Sequence, residues 1–145
     1  MKLIFAVLIA KIVLTLFCWC LPLLLFPPAW FLRLGVPLPE PVIFARLLGA
    51  AYLALIVGYS FGLGEIKRGI FPNQAVWMGI VSNGLGCGLL AFSGMMGYWT
   101  RWTDRGQVFM WFSALATLCI TGLLVWSKIT HSKADIQKKT REEHV

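Results

Sequence analysis

None of the six acidic residues of this chain (Glu40, Glu65, Asp104, Asp135, Glu142, Glu143) falls inside any of its long apolar runs. That excludes the membrane-embedded carboxylate on which small cation–proton antiporters depend. Both histidines, His131 and His144, lie near the C-terminal end, so bis-histidine haem within the runs is excluded and an intramembrane metal has no good ligands. The four cysteines, Cys18, Cys20, Cys87 and Cys119, show neither zinc-site spacing nor a CxxC pair. Cys18 and Cys20 stand two apart and point to nearly opposite sides of a helix. They can chelate a soft metal or form a disulfide only if Pro22 unwinds the turn. No Ser-His-Asp set, phosphate-binding glycine loop or paired carboxylates can be assembled. No catalytic residue and no metal site is assigned, and the cofactor is left unknown.

Charge is scarce as well, at 13% of residues, while 59% are hydrophobic and the mean hydropathy is +0.77. A soluble domain is nearer half apolar and a quarter charged. The apolar residues are blocked into long runs, which is the pattern of membrane spans. The net charge of +7 would point to nucleic acid in a soluble protein. Here the cations cluster at the ends of the runs and in the last eighteen residues, so membrane orientation explains them and no nucleic acid partner is expected.

Four spans are expected, at about 3–26, 42–63, 75–96 and 107–127, followed by a charged tail at 128–145. The first run, Leu3 to Phe26, is too long for a signal peptide and no small-x-small cleavage site follows it. The residue before either early cysteine, Phe17 or Trp19, does not suit a lipoprotein signal. At the helical rise this run is roughly 36 Å long, and Pro22 is expected to kink its far end. The five prolines between Pro27 and Pro41 forbid a continuous helix, while Trp30, Phe31, Leu32 and Leu34 around Arg33 suit a short segment in the interface. The third run carries a mostly small stripe of Gly79, Asn83, Gly86, Leu90, Ser93 and Gly97, with Gly84 and Gly88 as a GxxxG pair. Small residues allow close helix approach in lipid, so this helix is expected to be the most buried. The tail is expected to be mobile or only loosely helical.

An even number of spans puts both ends on one side. That side holds Lys2, Lys67, Arg68, Lys128, Lys133, Lys138, Lys139 and Arg141, against Arg33, Arg101, Arg105 and the border residue Arg46 on the other. The positive-inside rule then makes both termini cytoplasmic, in a bacterial inner membrane.

Two places hold polar groups at depth. Arg46 lies four residues into the second run, about 6 Å in. It either snorkels outward, pairs with Glu40 or Asp104, or contacts an anion or ligand. Lys11 lies about 12 Å in, at the same depth as Asn83. With Thr15, Ser82, Thr117 and Thr121 these two form one layer, with Tyr59 and Cys119 close by. The layer reads either as interhelical hydrogen bonding with Lys11 snorkelling, or as a small cationic pocket for an anion, a lipid headgroup or a quinone carbonyl.

A short N-terminal helix, a proline-rich loop, then Arg-x-x-Gly-Ala (Arg46, Gly49, Ala50) opening the second of four spans resembles the DoxX-like group of small four-helix membrane proteins. The resemblance implies an all-α, four-span bundle and carries across only Arg46, Gly49 and Ala50, the last two as helix-packing positions; Gly79, Gly84, Gly86 and Gly88 are expected to serve packing from the small-residue pattern of the third run. Some members of that group act as membrane partners of quinone-linked or thiol-redox complexes. A non-catalytic accessory or ligand-binding subunit is therefore expected, with the bilayer, a membrane-protein partner or a second copy as neighbours. The alternatives are a small transporter or channel for an anionic or small polar solute, and a membrane thiol oxidoreductase.

Overall fold

In a computed structural model, the backbone is described for residues 1–142 and the side chains for residues 1–133. Four of its helices are long and apolar enough to cross a membrane, and no strand occurs among the described residues. The first span is made of α1 (Lys2–Thr15), a π-helical turn (Leu16–Cys20) and α2 (Leu21–Leu25). A seven-residue helix, α3 (Pro28–Leu34), follows, and then α4 (Ile43–Lys67), α5 (Asn73–Met95) and α6 (Asp104–Glu142).

The first span packs on α4 and α6, and α5 packs on α4 and α6. The four long helices thus close a ring of antiparallel neighbours in which the first span and α5 stand diagonally opposite. Most large apolar side chains face outward, as lipid as a solvent permits. The first span is the most buried, with 33% of its apolar window inside the bundle against 22% for each of the others. This corrects the expectation for α5. Gly79 is closely met by Leu124, whereas Ser82, Asn83 and Gly86 line one side of an internal space.

The π turn answers a constraint set by Pro22. Proline has no N–H to give and its ring crowds the carbonyl four residues back, here that of Cys18. The turn upstream widens, with the Leu21 N–H donating to the Leu16 carbonyl. The buried positions of the span, Ile4, Val7, Leu8, Lys11, Thr15, Cys20 and Leu23, are never more than four residues apart except between Thr15 and Cys20. That step is five, and the widened turn keeps both halves of the span facing inward.

Two apolar cores result. One lies at the end carrying the N terminus, with Ile4, Leu8, Tyr59, Val76 and Leu124 among its members. The other, at the proline-loop end, joins Leu23, Phe31 and Ala45. Pro28 occupies the first turn of α3, where a missing N–H costs nothing, so the proline-rich segment does hold a short helix. Phe31 is its buried residue while Trp30, Leu32 and Leu34 are exposed. Gly35 ends α3 at φ 78°, and a Cβ there would lie 1.6 Å from Thr103 Oγ1. A Cβ on Gly106 would lie 2.2 Å from the Gly35 carbonyl oxygen. The two glycines let the loop after α3 rest directly on the first turn of α6.

The expected loose tail is instead a continuation of α6 as far as Glu142. Its sequence sets opposite charges four apart, Asp135 with Lys139 and Lys138 with Glu142, a spacing that supports helix. Near its start, Lys128 donates to Asn73 Oδ1 at 3.2 Å and sits 3.6 Å over the Trp77 ring, tying α6 to the first turns of α5. Residues 143–145, the end of that tail, lie outside the described residues.

Candidate functional site

Between the two apolar cores lies a chamber of about 280 Å³ whose polar walls are Lys11, Thr15, Ser82, Asn83, Ser113 and Thr117, with Tyr52 and Trp19 beside them. Lys11 is 8% exposed and Asn83 1%. The Lys11 ammonium donates to Asn83 Oδ1 across the diagonal of the bundle. Asn83 Nδ2 donates in turn to the Gly79 carbonyl at 2.6 Å, so the amide is oriented with its oxygen toward the lysine. Ser82 Oγ lies 3.0 Å from the hydroxyl of the fully buried Tyr59. Asn83 satisfies one of the three N–H groups of an ammonium, and no carboxylate lies among the described residues that wall the chamber.

The helix residues form this layer for local reasons. Lys11 and Thr15 are one turn apart, as are Ser113 and Thr117. The hydroxyls of Ser113, Thr117 and Thr121 each donate to the carbonyl four residues earlier, at 2.8–2.9 Å. This satisfies them in an apolar setting and leaves their lone pairs free. Thr121 faces away from the chamber walls, whereas Lys11, Thr15, Ser82, Asn83 and Thr117 share it. Tyr52, Trp19, Ser113 and Phe109 are walls that depth counting did not select. Tyr52 stands two turns before Tyr59 on α4, and that spacing was its signal.

Arg46 has backbone partners that the sequence did not suggest. Its guanidinium donates to the carbonyl oxygens of Leu23 at 2.5 Å and Phe26 at 2.8 Å. Leu23 would bond to the N–H four residues on, but that residue is Pro27. Arg46 supplies the missing donor and places a cation at the C-terminal end of the first span, where the helix dipole favours one. Gly49, one turn on, lets α4 approach that same end, since a Cβ there would lie 2.9 Å from Leu24 Cγ. Ala50 is exposed. Gly79 admits Leu124, whose Cδ1 would be 2.6 Å from an added Cβ. Among the described residues, a Cβ on Gly84 would meet a Thr121 methyl at 4.0 Å, and one on Gly86 or Gly88 would meet nothing within 4 Å. Gly86 lines the chamber.

A second, larger space of about 690 Å³ lies at the proline-loop end, bounded by α3, residues 36–39, the start of α4 and the start of α6. Its walls are apolar except at Arg105. Cys18, Trp19 and Phe109 line both spaces, and the Trp19 and Phe109 rings are 5.1 Å apart. Cys18 is half-buried and Cys20 buried, both as free thiols. The turn that carries them is widened by Pro22 yet remains helical.

Comparison with protein-family models, curated proteins and solved structures finds no match to this chain.

Proposed function

We propose that the chain is a non-catalytic, ligand-binding membrane subunit, and that its ligand is an amphiphile whose anionic group meets Lys11. The observation that supports this reading is the ammonium itself. It is withdrawn into an apolar bundle, partnered by one neutral amide, and faces a chamber whose walls carry hydroxyls and no carboxylate. Charges at this depth are costly, and a buried cation is normally paired. A bound anion completes the arrangement.

In the same reading the protein sits in a bacterial inner membrane with both termini in the cytoplasm, as the excess of Lys and Arg on the side of the termini favours. Its likeness to the DoxX-like group is part of the proposal, with Arg46 and Gly49 as the residues that hold the first span to α4. Work on a larger complex would then fall to a partner whose chemistry this chain serves.

The test is purification in mild detergent, followed by mass spectrometry of bound small molecules and co-purifying proteins, for wild type and Lys11→Met. The reading expects an anionic amphiphile on the wild type that is lost from the variant. A wild type that carries none, or a variant that carries as much, overturns it.

A further inference from the structure

The chamber at Lys11 and the space under the proline loop share a wall. Cys18, Trp19 and Phe109 belong to both, and two of these three come from the widened π turn. Widened turns of this kind recur where a helix is shaped around a ligand. From Lys11 to Trp19 is eight residues, about 12 Å along the helix axis. The two spaces therefore follow one another along the bundle, polar first and apolar second.

Resting on the proposed function, we infer that the ligand is a single-chain carboxylate amphiphile of the fatty-acid type, which occupies both spaces at once. Its carboxylate pairs with the Lys11 ammonium and accepts from the hydroxyls of Ser82 and Thr15. Its chain passes Cys18 and Trp19 and ends among Phe31, Leu38, Ala45 and Leu48 beneath the proline loop.

Size and charge both select this class. A small group takes up about 30 Å³, so the Lys11 chamber holds roughly nine methylene-sized groups and the second space roughly twenty. That suits a compact head and one chain, and leaves no place for a glycerol carrying two. Polarity fixes the direction. Arg105, the single cation on the second space, is exposed and keeps its solvation without a ligand. Lys11 is the buried cation of the two, and no carboxylate is among the residues that wall its chamber. Leu14, Leu89 and Phe112 wall the chamber and are also exposed on the outside of the bundle. An amphiphile can thus enter sideways from the lipid by displacing side chains alone.

The experiment compares oleate with octanoate, whose extended chain is shorter than the distance from Lys11 to Trp19. Each is added to the full-length protein in detergent and counted by native mass spectrometry. Wild type is expected to hold one of either. Lys11→Met weakens both roughly tenfold or more, as loss of a charge-assisted bond does. Leu48→Trp fills the second space from its partly exposed wall and is expected to lose oleate while keeping octanoate, which also shows the Lys11 chamber intact. Should Leu48→Trp lose both, Ala45→Phe repeats the comparison from the buried side. Oleate retained at the wild-type level by either filled variant overturns the chain's path and leaves the Lys11 site standing. Both acids retained by Lys11→Met overturn the site and the path together.

Discussion

The carbonyl oxygen of Leu23 lacks the helical donor that Pro27 cannot provide, and the Arg46 guanidinium supplies it from the neighbouring helix at 2.5 Å. One side chain thereby seals the end of the first span and fixes where α4 begins against it. Replacement by methionine leaves the carbonyls of Leu23 and Phe26 without that donor in a partly buried site. Each such loss costs about 1–3 kcal/mol. Arg46→Met is expected to lower the SDS-unfolding midpoint clearly, and Arg46→Lys to lower it less. Equal midpoints for Met and wild type would contradict the capping role.

Close approach of α4 and α5 depends on Gly62. A Cβ there would lie 2.5 Å from Ala75 Cβ, which has no flexible end to move aside. Gly62→Ala is expected to destabilise by about 1–3 kcal/mol, the usual range for overpacking. Gly88→Ala, where an added Cβ meets nothing within 4 Å, is expected to leave the monomer unchanged. Thermal unfolding of the two variants side by side decides the point.

The Lys11–Asn83 bond is asymmetric in what its loss exposes. Asn83→Leu strands an ammonium, whereas Lys11→Met strands a neutral amide oxygen. The first is expected to be the more destabilising. A double-mutant cycle should give a coupling near 0.6–1.7 kcal/mol, the range found between membrane helices. A coupling of zero would mean that the two residues act apart.

Orientation is open to a direct check. Eight of the thirteen Lys and Arg residues lie at the end of the bundle that carries the termini. A C-terminal fluorescent-protein fusion is expected to glow, and an alkaline phosphatase fusion at the same site to be inactive. The reverse pattern would overturn the cytoplasmic assignment.

The spans were legible because lipid demands length and apolarity, and each leaves a mark on every residue of a run. Placing Lys11 and Asn83 at one depth needed only the helical rise and the direction of each span. The partners of Arg46 were not legible because they are backbone carbonyls, which look alike in every sequence. Its role follows only when Pro27 is seen as a missing donor on a different helix. The expected enclosure of α5 failed for a related reason. Small residues permit close approach but do not say whether a neighbour takes it, and at Gly86 and Gly88 none among the described residues does. The second space is walled by residues from the first span, α3, α4, α6 and an irregular loop, and no periodicity within one segment announces such a meeting.

The contact between Gly35 and Gly106 ties an early loop to α6, which is synthesised after the other three spans. With the first three spans inserted, the space beneath the proline loop still lacks Arg105, Phe109 and Met110, and the Lys11 layer lacks Ser113 and Thr117. The nascent chain is then an open trough, with a lysine facing lipid and no fourth wall to shield it. Both spaces gain their last wall in one step, as α6 enters, and a ribosome that stalls before Asp104 leaves a product that membrane quality control can tell from the closed bundle.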